Sequence, residues 1–313
     1  MRIPSFWIAP LVLLFPACAG AQTLTPVNPY PGSKSTVVFG INDNGVIVGS
    51  YMDFGDAEHG FFGPLNGAYT SFDVPGAPGT EAHSIDADGN IVGNVLPSAG
   101  SPAEQFFRSA NGAYTIIKKD GMSISGTAQG MTVKLHSVGD YTVPASGAVT
   151  GYLAVNGRYK SDITLNVDAT RVSPRGIGRY GAIAGYFIDS KGRAHGFIQD
   201  ATGTQVVSAD KSGTTSFQGI NPFAQGECTV GQFGNRVTKS FIYNAKTQGF
   251  TAIDVPGAKW LEAWGMNRYY QVAVDTNIGD FIFDPSGGAR VKHACPTGGT
   301  DARFRDASVR VVR

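Results

Sequence analysis

The side chains best suited to chemistry are sparse and poorly grouped for it. Five histidines stand at 59, 83, 136, 195 and 293; no H-E-x-x-H, C-x-x-C or close histidine pair occurs, so there is no zinc signature. No G-x-S-x-G turn marks a nucleophilic serine. "GIGRYG" at 176–181 has the letters of a dinucleotide-binding loop, but β-prone "AIAGYF" follows where that loop needs a helix. "SIDADGN" at 84–90 opens like a calcium loop, yet position twelve from Asp86 is Pro97, which has no carboxylate to offer. Both stretches read as tight turns. No metal site and no cofactor is expected, and paired catalytic carboxylates are recognised by separation in space rather than in sequence.

The bulk of the chain narrows the classes further. Charged residues are 16% of 313 and the net charge is +1, far from the basic stripe that duplex nucleic acid demands, so no nucleic-acid partner is expected. Residues 1–21, "MRIPSFWIAPLVLLFPACAGA", carry an early Arg2, an apolar stretch and a small-x-small end, which predicts a secretory signal and a secreted or periplasmic mature chain. "FPAC" matches a lipobox poorly, and no second apolar stretch is long enough to span a membrane. Residues 22–313 are expected to form one domain, most simply a monomer. It keeps Cys228 and Cys295, whose pairing an oxidising compartment permits without requiring it.

What must position any site is a repeat. "FDVPGA" at 72–77 returns as "IDVPGA" at 253–258, each a strand end followed by the Pro-Gly of a type II turn. "GINDNGVIVGSY" from 40 returns from 84, 176 and 219, with weaker copies from 142 and 265, giving a unit of about 44 residues. The step from 84 to 142 is long and the next one short, which assigns the surplus to an inserted loop over 121–141. Four β-prone segments per unit, with Asn-Gly and Asp-Gly turns between them, predict an all-β fold, a β-propeller of about six four-stranded blades. Five or seven blades remain alternatives because units three and six are decayed. Thr23–Pro31 aligns on a fourth segment with no unit before it, so it is expected to pair with the last blade and close the ring.

These phrases resemble the extracellular HAF-repeat family, whose unit runs Gly-Ile-Asn-x-x-Gly-x-Ile-Val-Gly-x-Tyr and then His-Ala-Phe or His-Gly-Phe. His59-Gly60-Phe61 and His195-Gly196-Phe197 carry the second motif here. The resemblance implies a secreted bacterial repeat protein and supplies no catalytic residues. The two histidines share one repeat position, which suggests a structural role such as bonding a strand carbonyl.

Positions shared by all units build the blade, so function is sought where units differ. The residue before each Gly-Ile-Asn-like start is Phe39, His83, Tyr141, Arg175, Gln218 and Trp264, all bulky and no two alike. Equivalent positions in a propeller fall on a circle about its axis, so these six are the candidate ligand-binding ring, with Trp260 nearby where the matching unit has Gly79. The competing reading is that they pack between blades. A binding or interaction propeller for a glycan or a protein, not an enzyme, is the expected class. The rival, a propeller glycan hydrolase or lyase, would gather acidic residues at one channel mouth.

Overall fold

The computed structural model describes residues 22–65, 67–97, 103–132, 134–210, 214–223, 228–234, 239–287, 295–298 and 301–312. The expected signal segment lies outside them. Antiparallel meanders dominate in a β-propeller arrangement, with no α-helix among the described residues.

Four sheets are separate four-stranded blades, and one nine-stranded sheet stands where two more were expected from the repeat count. That sheet contains two meanders, Gly126–Ile163 and Arg171–Ser208, joined by a single parallel residue pair, Val149 with Arg171. Ser308–Val312 adds to its outer edge beside Gly203–Ser208. Thr23–Pro26 pairs antiparallel with Phe281–Asp284 of the last blade, the place expected of the orphan segment.

Each unit begins with a first strand: Ser35–Ile41, Thr80–Ile85, Gly126–Met131, Arg171–Ile177, Ser216–Ile220 and Leu261–Met266. Every one of these lies beside the first strand of the next unit, and Leu261–Met266 lies beside Ser35–Ile41, so the cycle closes. The core sits between neighbouring sheets. Val48, Phe72 and Val74 of one sheet, for example, bury against Ala82, Ile85, Ile91 and Phe106 of the next, which is why each unit presents alternating apolar residues on both faces. The Val-Pro-Gly-Ala turns close as read: Ala77 N–H donates to the Val74 carbonyl (2.9 Å) and Ala258 N–H to that of Val255 (3.1 Å), with Gly76 and Gly257 at φ 80° and 86°.

Unit three needs correcting. Its first strand is Gly126–Met131, so the repeat phrase starts at Gly130 and not at 142, and its second strand is His136–Thr142. Gly139 opposite Tyr152 therefore repeats Gly49 opposite Phe61. The long and short steps vanish, and most of 121–141 is taken up by the paired strands Gly126–Met131 and His136–Thr142 in place of an inserted loop. Two substitutions hide the copy. Thr132 stands for the Asn, and Leu135 takes the left-handed turn position (φ 58°) that Gly45, Gly89 and Gly181 occupy elsewhere.

The asparagine of Gly-Ile-Asn holds units together. Asn42 Oδ1 accepts the N–H groups of Asn44 and Val46, while its Nδ2 donates to the Asp86 carbonyl of the next unit (2.8 Å). Asn221 does the same to Asn267 (3.1 Å), and Asn267 to Asn42 (3.1 Å) across the closure. One side chain thus caps its own turn and stitches two units. Cys228 and Cys295 form a disulfide with Cα atoms 5.7 Å apart, inside the range a bridge requires.

Candidate functional site

A β-bulge interrupts every first strand at the same place. The ladder skips one residue at Phe39, His83, Gln129, Arg175 and Gln218, and two at Trp264-Gly265. An extra residue re-aims its side chain away from the alternation of the strand. All six, from Phe39 to Trp264, line one central channel. Five of the six expected ring residues are therefore brought together there. The sixth is Gln129, not Tyr141, because the unit-three register was misplaced. Tyr141 sits on a second strand opposite Gly126, buried, with its hydroxyl donating to Asp162 (2.8 Å). Gln129 was findable: it precedes Gly130, which stands 46 residues from both Ser84 and Gly176. Trp260 is also off the channel, 38% exposed on an outer cleft with Lys239, Asp254 and Arg303.

The glycine after the bulge lets the first strands approach. A Cβ on Gly40 would stand 2.8 Å from the carbonyl oxygen of His83. On Gly130 it would stand 2.7 Å from that of Arg175, on Gly219 2.7 Å from that of Trp264, and on Gly265 2.9 Å from that of Phe39. Each contact is to the ring residue of the following unit, so the glycines set the radius of the ring.

The first strands are the inner edges of their meanders, so the buried N–H of the residue before the bulge needs an acceptor outside the ladder. The preceding unit supplies it: Asn94 Oδ1 accepts from Ala128 N–H (2.8 Å), Ser240 Oγ from Ala263 N–H (3.1 Å), and the Asp280 carboxylate from Val38 N–H. Unit four has Pro174 there, with no N–H to satisfy.

The ring has two halves. Trp264, Phe39 and His83 form an aromatic sector, with Phe39 stacked on His83 at 4.4 Å and edge-on to Trp264 at 5.3 Å. Gln129, Arg175 and Gln218 form a polar sector. All but His83 and Gln129 are half-buried, and those two are buried. Packing wholly between blades is thus not what these side chains do. His83 bonds Glu81 (3.2 Å), whose carboxyl burial pushes up but the histidine holds below the usual range. Arg175 donates to the Tyr186 hydroxyl (3.2 Å) and lies over its ring. Burial opposes ionisation of that phenol, yet the charges of Arg175 and Arg171 carry its pKa below normal. Three buried atoms on the ring have no partner: Arg175 Nε, Gln218 Oε1 and Trp264 Nε1. The channel offers about 60 Å³ to the centre of a water-sized sphere. That is room for a few waters or the tip of a ligand, well short of a whole drug-sized molecule.

Beyond the ring, the turns rim the channel unevenly. Over units four to six, Tyr180, Arg179, Phe223, Arg268 and Tyr269 form an unbroken cation–π series, with guanidinium-to-ring distances of 4.8–5.5 Å. Over units one and two, the rim carries Asp43 and Asp86. Asp43 accepts from Arg268 N–H (2.9 Å) and Asp86 is occupied by its own turn, through Asp88 and Asn90.

The remaining groups worth weighing are structural. His59 bridges Asp73 (3.0 Å) and Asp53 (3.5 Å), and His195 bridges Asp189 (3.1 Å) and Ser208 (2.9 Å), so the repeated histidine ties a turn down through side chains and not through a strand carbonyl. No group of three histidine, cysteine or acidic side chains is arranged for a metal among the described residues. Among the described residues no helix is long and apolar enough to cross a membrane.

No family model matches the chain, and a search of curated proteins returned no match. Solved structures resemble the chain only at low identity and with TM-scores below 0.5. A streptogramin B lyase structure is 12% identical with a TM-score of 0.45, covering 93% of this chain and 98% of that one. A structure from a study of two prolyl endopeptidases is 10% identical with a TM-score of 0.46, and this chain, 79% covered, spans only 40% of it.

Proposed function

We propose that this is a secreted binding propeller, related to the HAF-repeat proteins, whose channel ring takes an extracellular glycan or protein partner. The observation that carries the reading is the ring: in every unit a bulge aims a bulky side chain into one channel, five residue types with only Gln used twice, and none of the six is a carboxylate. A glycan hydrolase or lyase would need acidic groups around an opening. Two burial-raised carboxyls, Asp43 and Asp86, do line the channel, but Asp43 accepts from Arg268 and Asp86 from its own turn, while Glu58, Glu262, Asp275 and Asp280 lie outside the lining. Six blades is the count we favour. It is supported by the closed cycle of six first strands and by the lone residue pair that merges two meanders into the nine-stranded sheet. Secretion is supported by the signal-like residues 1–21.

The test is to incubate the mature protein with an immobilised glycan library, recording both retention and cleavage. Retention without cleavage, weakened in Trp264→Ala and Arg175→Ala at unchanged melting temperature, is the expected result. A released fragment would turn the assignment to an enzyme, and a fall in stability in place of binding would return these residues to packing.

A further inference from the structure

We infer that the channel ring is a carboxylate site: it takes a ligand whose carboxylate enters between Arg175 and Trp264 and whose flat body lies against Phe39 and His83. The inference rests on the channel being the binding site. It adds the charge and shape of what binds.

Arg175 is the only cation on the ring, and among the described residues no carboxylate lies within ion-pairing distance of it. Its neighbour Arg171 has Asp140 at 3.4 Å; Arg175 has the neutral hydroxyl of Tyr186 and nothing acidic. A half-buried guanidinium without a counter-ion is costly, and an anion drawn into the channel offsets that cost. The acids that share the channel lining do not serve, because Asp43 is held by Arg268 and Asp86 by its own turn.

The orphaned atoms give the charge a geometry. Arg175 Nε–H and Trp264 Nε1–H are donors with no acceptor, one from unit four and one from unit six. Both suit the oxygens of a carboxylate, since charge-assisted N–H bonds are about twice as strong as neutral ones. Gln218 stands on the unit between them. Its Nε2 donates to Ser216 Oγ (3.1 Å) and leaves Oε1 unpaired in the channel. Turning that amide by half a rotation presents NH₂ in place of the oxygen and adds a third donor.

Size and shape set the rest. The free space admits a carboxylate and little more, so the body of the ligand must stay by the aromatic half. The Phe39–His83 stack, with planes 13° apart, offers a face for an aromatic ring or the apolar side of a sugar. A uronic acid or an aromatic acid meets both demands; a bare inorganic anion meets only the first.

The indole N–H of Trp264 reports on the site directly. In a Trp260→Phe background, the mature chain has one indole resonance in a nitrogen–proton correlation spectrum. Benzoate and galacturonate are titrated at neutral pH beside their uncharged counterparts benzamide and galactose, and beside inorganic phosphate. Saturable movement of the Trp264 peak by the two acids, at least tenfold weaker for the amide and the neutral sugar, is expected. Arg175→Gln should cut the acids' affinity at least tenfold without lowering the melting temperature. Equal binding of charged and neutral probes, or no effect of Arg175→Gln, overturns the carboxylate site while leaving channel binding intact. Phosphate binding as tightly as benzoate also overturns it, because the flat body would then contribute nothing. If none of the five probes moves the peak, the carboxylate site is refuted, and glycan retention dependent on Trp264 then decides whether the channel binds at all.

Discussion

Asp280 gives the sharpest energetic prediction. It is 6% exposed at the seam between the last blade and the first, with Asp275 beside it. One carboxyl oxygen accepts Val38 N–H and Oδ1 has no partner. Burial, then the neighbouring Asp275, pushes the carboxyl up to about 8, and burial pushes Asp275 up to about 6. The native pair therefore holds a proton that the unfolded chain releases near pH 4. With the folded pKa above the unfolded value, the native state binds more protons between about pH 4 and 8, and stability falls as pH rises through that window. At about 1.4 kcal/mol per unit, a carboxyl raised to about 8 loses up to about 4 kcal/mol between pH 5 and pH 8, and Asp275, raised as well, adds to that loss. Asp280→Asn keeps an acceptor for Val38 N–H and cannot ionise. Thermal unfolding of wild type and variant at pH 5 and pH 8.5 measures the difference. The variant should gain several degrees in melting temperature relative to wild type on going from the lower to the higher pH. Parallel pH profiles for the two proteins would refute the shared proton.

Reducing the Cys228–Cys295 bridge, which closes a separation of 67 residues, should cost about 4 kcal/mol by chain entropy and lower the melting temperature; unreduced protein should titrate no free thiol. Gly219→Ala would force a Cβ to 2.7 Å from the Trp264 carbonyl oxygen and should cost about 1–3 kcal/mol in denaturant unfolding, whereas Ser84→Ala at the same position in unit two should be near neutral. Asn267→Asp turns the donor to the Asn42 carbonyl into an acceptor at a site 1% exposed; it should destabilise by about 3 kcal/mol at neutral pH, and less in acid where the carboxyl can donate again.

How much of this could be read from the letters depends on range. The Val-Pro-Gly-Ala turns were legible because Pro and Gly fix their own dihedrals. The ring was legible at five positions because the phrase that follows it recurs, with glycine after four of them and Ser84 after His83. Unit three escaped because Leu135 adopts a left-handed conformation that its letter does not announce, and with it went Gln129 and the strands of 121–141. The bulge itself has no letter. One extra residue in a short strand shifts the alternation by a single place, and only the partner strand reveals it. The nine-stranded sheet was not legible, because the one backbone pair that joins its two meanders, Val149 with Arg171, is encoded by no local pattern. Asp280 looked like one acid among many, since what raises its pKa is burial at a seam, beside an Asp275 that the letters do not mark as a neighbour in space.

The bulge also explains why the ring can vary while its frame cannot. In four of the six units the edge N–H before the bulge is met by the preceding unit or replaced by proline, through Asn94, Ser240, Asp280 or Pro174. None of these is a ring side chain. The close approach of strands is set by the following glycine, again not by the ring residue. The energy that holds the ring together therefore resides in positions either side of Phe39, His83, Gln129, Arg175, Gln218 and Trp264, and these six are left to meet whatever enters the channel. Substituting within the ring should then change binding far more than folding, and substituting its neighbours should do the reverse. Arg175→Gln set against Pro174→Ala separates the two, because the alanine restores an N–H at the bulge with no acceptor assigned to it. We expect Pro174→Ala to lose about 1–3 kcal/mol of stability with ligand affinity intact. Equal loss of affinity in both variants would mean that frame and ring are one unit.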